Sequence, residues 1–390
     1  MSLPPALDGI TILDLSTVGP ATRAARILAD YGARVIKVGA PPSKSGLQTT
    51  PPFYAYSGDR GMQHIKLDLK AHESKEVFLK LVERADVVIE SYRPGVADRL
   101  EISFEHLRAR NQRIICCSTS GYGQDGPASQ WAGHDLNYVG VSGFLFCNGR
   151  REDGMPPIPG SSIADSAAGG MQAAMAIMAA LLRRTQTGVG EYLDVSLADG
   201  MLYLMSIYID EYLATGKEPG PGHYILTGSN ACYGVYRAGD GKYLALGVIE
   251  PAFWANICRG LGLEQWIAHQ NDPAMQDSIR VDLAEAFGRK SRDEWVAELA
   301  DKNTCLTPVY SIDEVLEDPQ YRHRGIVVEA EHPTQGRFQQ LGATFAGQIA
   351  PDGVQAVADL ATASDTFELL AEAGLTGAVI GDLHERGLIA

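Results

Sequence analysis

Cationic side chains are in short supply in this chain. Its 390 residues carry 33 lysines and arginines against 48 aspartates and glutamates, a formal net charge of −15. A surface that acidic argues against a general nucleic-acid binder, because neutralising a phosphate backbone needs a basic face. Any anionic ligand must then be met by a local basic patch working against the overall field. Cysteine is scarce as well. Cys116, Cys117, Cys147, Cys232, Cys258 and Cys305 include no pair at CxxC spacing, so neither a disulfide framework nor a structural zinc site is expected. The opening MSLPPALDG has no basic and apolar leader, and the expectation is a reduced, cytoplasmic protein. Long hydrophobic runs are missing too. The longest charge-free apolar stretch, Ser166 to Leu182, has 17 residues. That falls short of the roughly 20 that span a bilayer, and it reads as a buried helix. No GxGxxG, Walker A lysine, GxSxG elbow or HExxH helix occurs. The absences argue against a dinucleotide fingerprint, the commoner nucleotide hydrolases, serine hydrolases and zinc proteases, and no metal is expected.

What is present is an ordinary globular composition, 45% hydrophobic and 21% charged, which excludes wholesale disorder. At roughly 150 residues per domain the length allows two to three units. The N-terminal third alternates apolar strand-like runs (10–15, 33–38, 65–69, 87–90, 113–118) with amphipathic helical segments (21–30, 71–84, 104–110). That alternation predicts an α/β fold with a parallel sheet and right-handed crossovers. Residues 39–61, rich in Pro, Gly, Ser and Thr, read as a long loop. Two long apolar helices are expected near 166–183 and 196–215, with a strand between them. The Gly/Pro cluster 216–222 then marks a boundary. A large unit over 1–215, a smaller mixed unit over 225–330 and a C-terminal segment over 331–390 follow from this reading.

Three local features carry candidate chemistry. The turn 16–20 leads from the first strand into the first helix and offers backbone N–H groups to an anion. Within Gly133–His134–Asp135–Leu136–Asn137–Tyr138, His134 stands at a helix start, where a histidine is either a cap or a general acid/base. Asp165 opens the apolar helix, where an acid serves the helix dipole or, partly desolvated, becomes a proton carrier. A base and an acid flanking one carbon can remove a proton from one face and return one to the other. Glu250, after the strand 243–248, is a third candidate; a strand-end surface acid is its simpler reading.

Eight segments, in order, carry a resemblance: LDGITILDLSTVGP (7–20), ILADYGARVIKV (27–38), DVVIESYRPGV (86–96), STSGYGQDGP (118–127), AGHDLNY (132–138), the IAD before the long helix (163–165), DGKYLALGVIEPAFW (240–254) and CLTPVY (305–310). Together they resemble the family III CoA-transferase superfamily (CaiB/BaiF type), and within it the α-methylacyl-CoA racemases most. The resemblance implies a Rossmann-like large domain and a smaller α+β domain joined by long helices, with the C-terminal segment returning to the large domain. It also implies an interlocked homodimer with the active site between the large domain of one chain and the small domain of the other. The partners implied are an acyl-CoA thioester and a second copy, with no nucleic acid, no membrane and no cofactor beyond the CoA of the substrate.

In the transferase branch the residue matching Asp165 is a nucleophile. In the racemase branch it is the acid/base partner of a histidine in a GHD-x-NY segment, present here whole. Glu250 is similar to a racemase residue that hydrogen-bonds that histidine, and Tyr233 to an active-site tyrosine. Tyr138 and Ser161 fall among the implied substrate contacts, although Ser161 stands where the racemases carry Asn. The strand ending at Val38 is followed by Gly39–Ala40–Pro41, where a charged residue before Pro is common. Arg93 and Lys37, then Lys44 and Arg60 in the long loop, are the candidate CoA contacts. The activity implied is epimerisation at C2 of a 2-methyl-branched acyl-CoA. CoA transfer between carboxylic acids is the alternative, and a CoA-ester-binding protein without catalysis a third reading.

Overall fold

Six strands form one parallel sheet: β1 (Thr11–Asp14), β2 (Arg34–Gly39), β3 (Gln63–Lys66), β4 (Val87–Glu90), β5 (Ile115–Ser120) and β6 (Tyr192–Ser196). Their order is β3-β2-β1-β4-β5-β6. The direction of winding therefore reverses between β1 and β4, which opens a crevice at the C-terminal ends of those two strands, where such sheets bind ligands. The computed structural model describes residues 4–41, 52–55, 59–348, 353–359 and 364–390. Lys44 and most of the loop expected over 39–61 lie outside them.

Both faces of the sheet are covered, which is why the central strands β1, β4 and β5 are buried along most of their length instead of alternating. On one face lie α1 (Pro20–Asp30) and a long helix that begins as a π-helix (Ala164–Met171) and continues as α5 (Gln172–Thr187). Ala21, Ala24, Ala25 and Leu28 of the first meet Ala173, Ala174, Ile177 and Ala180 of the second over the sheet. The other face is packed by α2 (His72–Val82) and α3 (Phe104–Arg110), together with the C-terminal helices Thr366–Glu372 and Gly377–Glu385. α4 (Asp135–Val141) and α6 (Leu197–Leu204) flank the π-helix.

The long helix departs from the sequence expectation in two ways. As a continuous element it runs 24 residues, Ala164–Thr187, and by length and composition it could cross a membrane. The apolar run looked shorter because it was ended at the first arginine. Arg183 and Arg184 in fact remain helical, paired with Glu191 and Asp86. The helix expected to be buried also turns its small residues to the sheet and leaves Met171 and Met175 exposed. The apolar stretch 196–215 is likewise two helices, broken at Met205.

The chain forms two compact units. The first comprises Met1–Phe144, Ile158–Ile209 and Arg324–Ala390, the second Leu145–Pro157 and Asp210–His323. Residues 145–157 thus pack with the second unit, whereas the sequence reading gave them to the first 215 residues. The tail adds an antiparallel hairpin, Val327–His332 with Gly336–Leu341, which its polar, weakly alternating sequence did not announce. The second unit is built on an antiparallel sheet of β7 (Tyr233–Arg237), β8 (Tyr243–Gly247) and β9 (Leu306–Pro308), in the order β7-β8-β9. Its core is filled by Trp254, Ile257, Leu283, Phe287 and Trp295 from the helices Pro251–Leu261, Gln276–Phe287 and Arg292–Leu299.

Candidate active site

The Gly-His-Asp-Leu-Asn-Tyr segment folds back on itself. Asn137 Oδ1 accepts the His134 N–H at 3.0 Å, and the Tyr138 hydroxyl donates to the Gly133 carbonyl at 2.6 Å. A Cβ at Gly133 would lie 2.8 Å from the Tyr138 ring and one at Gly121 2.4 Å from it, so both glycines are needed for the ring to lie where it does. These contacts hold the backbone of His134 at the N-cap of α4 while its imidazole stays exposed. Tyr138 is itself buried, and burial pushes its phenol up to about 12. Its place is beneath the histidine loop, a supporting position for a residue expected to touch substrate.

The next residue of the motif reaches the other candidate. Asp135 Oδ1 accepts the Asp165 N–H at 2.8 Å, so α4 and the first turn of the π-helix are tied directly. Asp165 is half-buried, and loss of water raises its carboxyl above the usual range. The Asp135 charge adds to this, and Arg23 and His134 oppose it. His134 and Asp165, thirty-one positions apart in sequence, therefore share one electrostatic neighbourhood. The π-helix that carries Asp165 is wedged between α1 and α6 by glycines: a Cβ at Gly169 would meet Pro20 at 2.5 Å, and one at Gly200 would meet the Ala168 carbonyl oxygen at 2.3 Å. Ser161, four residues before Asp165, is exposed.

The turn 16–20, expected to offer N–H groups to an anion, lies after β1 at the switch point. Gly19 caps α1 with φ of 79° and Pro20 opens the helix, leaving the exposed Thr17 and Val18 at its mouth. Arg93, after β4, is exposed and close enough to Tyr138 to act on its charge. Beneath the turn, Lys37 has another task than the one expected of it. It is only 7% exposed, and its Nζ donates to Asp14 Oδ2 at 2.7 Å, while Asp14 Oδ1 takes the Ser16 N–H at 2.8 Å and the Ser16 hydroxyl at 2.6 Å. The ammonium is thus spent inside the fold, fixing the turn from below. Arg60 is corrected in the same way. It is 2% exposed and pairs with Asp30 at 3.1 Å and with the Leu341 carbonyl at 2.9 Å, joining α1 to the C-terminal hairpin.

Glu250 and Tyr233 belong to the second unit, at one end of its sheet. Glu250 is exposed at the N-cap of the helix Pro251–Leu261. Tyr233 opens β7 opposite Gly247, whose N–H donates to the Cys305 carbonyl at 3.1 Å, and the Glu250 charge is felt by the Cys305 thiol. Sequence reasoning gave no role to Asp135, Arg23, Ser162 or Glu90. Glu90 is buried at the end of β4, where it accepts the Tyr92 N–H at 2.5 Å and desolvation raises its carboxyl. The signal for Asp135 was in the motif itself, an acid directly after the histidine; Arg23 is one of two arginines among the small residues of α1. Among the described residues there is no cluster of His, Cys, Asp and Glu that could hold a metal ion.

A doubly wound α/β unit with a histidine and a half-buried carboxyl brought together beside its switch point defines a protein of the CoA-ester-handling class when set beside its relatives. The model of the family described as CoA-transferase family III matches residues 7–358, and the chain belongs to that family. It is 34% identical to the human alpha-methylacyl-CoA racemase over 84% of this chain and 83% of that protein. It is 32% identical to the human succinyl-CoA:glutarate CoA-transferase over 86% of this chain and 79% of that one. A CaiB/BaiF family protein from Brucella suis superimposes with a TM-score of 0.77 at 26% identity, covering 94% of this chain and 99% of that one. The expected family and the mixed α/β architecture with its parallel sheet are thereby borne out.

Proposed function

We propose that the protein is a racemase acting at C2 of a 2-methyl-branched acyl-CoA by 1,1-proton transfer. The observation that carries this reading is the shared neighbourhood of the exposed His134 and the half-buried Asp165: the histidine acts on the Asp165 carboxyl, and Asp135 beside it accepts the Asp165 backbone N–H. One of the two takes the C2 proton, and the C–H electron pair moves into the thioester carbonyl to give an enolate. The other returns a proton to the opposite face, so the overall reaction is isomerisation without redox change. Donors aimed at the enolate oxygen lower the barrier. Arg93 and the exposed N-terminus of α1 are the CoA-phosphate contacts, offsetting locally the −15 charge of the chain. The exposed Met171, Met175, Leu182 and Tyr203 support burial of this face against a second copy.

The test is C2 deuterium uptake from heavy water with branched acyl-CoAs. Replacing His134 by Ala should lower exchange by about 100-fold or more with CoA-ester binding retained; unchanged exchange would sink the assignment. The second reading, CoA transfer with Asp165 as nucleophile, is favoured by the succinyl-CoA:glutarate relative. Hydroxylamine trapping of an Asp165 acyl adduct in the presence of a free acid acceptor would decide for it.

A further inference from the structure

Arg23 sits in the second turn of α1, and its Nη2 donates to Ser162 Oγ at 2.8 Å. Ser162 lies three residues before Asp165. The position of a Cβ on Gly170 would be 2.8 Å from Arg23 Cβ and 3.2 Å from the Asp165 carbonyl oxygen. The arginine stem and the aspartate backbone thus face each other across a single glycine. Gly170 lets α1 close onto the π-helix, and Ser162 fixes where the guanidinium rests. The charged and titratable groups around the Asp165 carboxyl come from two elements: Asp135, His134 and Tyr138 from the start of α4, and Arg23 from α1. Of the other elements packed on the π-helix, β6 and α6 carry Asp194 and Asp199, which act on each other with Asp125. The arginines of α5, Arg183 and Arg184, are paired with Glu191 and Asp86.

We propose that Arg23 is a positioning residue of this site, a cation anchored on Ser162 that keeps Asp165 in its carboxylate form. The role rests on the reading of Asp165 as a reacting group, in which a carboxylate is the form that takes a proton or attacks a thioester. Burial and Asp135 both favour protonation of Asp165, and Arg23 is the one arginine of α1 set against them here. Arg26, three residues on, is committed to Asp30 at 2.6 Å.

The experiment is the titration of Asp165 in the unliganded full-length protein. Carbon-13 carboxyl-labelled aspartate would be followed by NMR, with Asp165→Asn to assign the signal. The Arg23→Met variant should titrate about one pH unit higher than the wild type. Arg23→Lys should recover most of the difference, and Ser162→Ala should shift part of the way. The acid limb of the C2-exchange profile should move with it, so the deficit of Arg23→Met is largest at low pH and shrinks as pH rises, which a merely structural defect would not do. A folded Arg23→Met protein whose Asp165 titrates as in the wild type overturns the proposal. Absence of C2 exchange in the wild type would instead overturn the racemase reading, and the titration would still decide the role of Arg23.

Discussion

Arg60 and Lys37 show why a basic residue in a CoA-handling chain is not assignable from its charge. A cation pays a large desolvation penalty when buried unless a carboxylate and further acceptors satisfy it, and both residues have found such partners. Their sequence surroundings, a strand interior and a loop end, do not distinguish this from a surface phosphate contact. The two readings separate on measurement. Arg60→Met should cost about 2–3 kcal/mol of stability in urea denaturation, Asp30 keeping Arg26 as a partner, while the KM of the folded enzyme for acyl-CoA stays where it was. A large rise in KM with unchanged stability would restore the CoA-contact role. The Gly-His-Asp-Leu-Asn-Tyr segment is the opposite case. Its chemistry was legible because Asn137 and Tyr138 act on their own loop, at separations of three and five residues.

At the scale of elements, the strands and helices of the first unit lie close to where hydrophobic periodicity placed them, because each is long enough to show its buried face. The π-helix is different. A Gly–Gly pair in an apolar helix costs helix propensity, and the compensation appears only where α1 and α6 come to lie against it. Gly200→Ala should therefore destabilise the protein by about 1–3 kcal/mol, since its Cβ would meet the Ala168 backbone oxygen at 2.3 Å. It should also lower C2 exchange by displacing the turn that carries Asp165. Denaturation midpoints and exchange rates on the same preparation check both. Gly160, where an added Cβ would meet nothing within 4 Å, is the matched control, for which neither should change. The C-terminal hairpin escaped sequence reading for the converse reason: its strands are half exposed, with too few apolar residues to mark a face.

For the molecule as a whole, the sheet edge at β3 is where the tail is secured. Asp365 Oδ2 accepts the His64 N–H, the Asp365 N–H donates to the His64 carbonyl, both at 2.7 Å, and Leu67 bridges Ile389. His64 is only 3% exposed, burial pushes its pKa below the ordinary value, and its Nε2 has no hydrogen-bond partner among the described residues. Burial disfavours the charged ring in the folded protein, whereas the unfolded chain takes up a proton near pH 6.5. Its contribution to stability is therefore complete above that pH and is lost as pH falls towards the folded value. Urea midpoints should decline as pH falls below about 6.5, and His64→Leu should flatten that slope. An unchanged slope would place the acid sensitivity elsewhere.

The amino-acid sequence by itself determined the family, the alternation of strand and helix and the identity of His134 and Asp165 as the residues to watch. These are local matters, written in periodicity and in motifs whose members bond to near neighbours. Only the tertiary structure decided that Asp135 ties one to the other, that Lys37 and Arg60 are internal, and that Arg23 stands beside Asp165. Each of those depends on segments far apart in the chain meeting at a distance of a few ångströms. A charge can be counted in a sequence, as the scarcity of cations was, but where its field acts is set by what is packed around it.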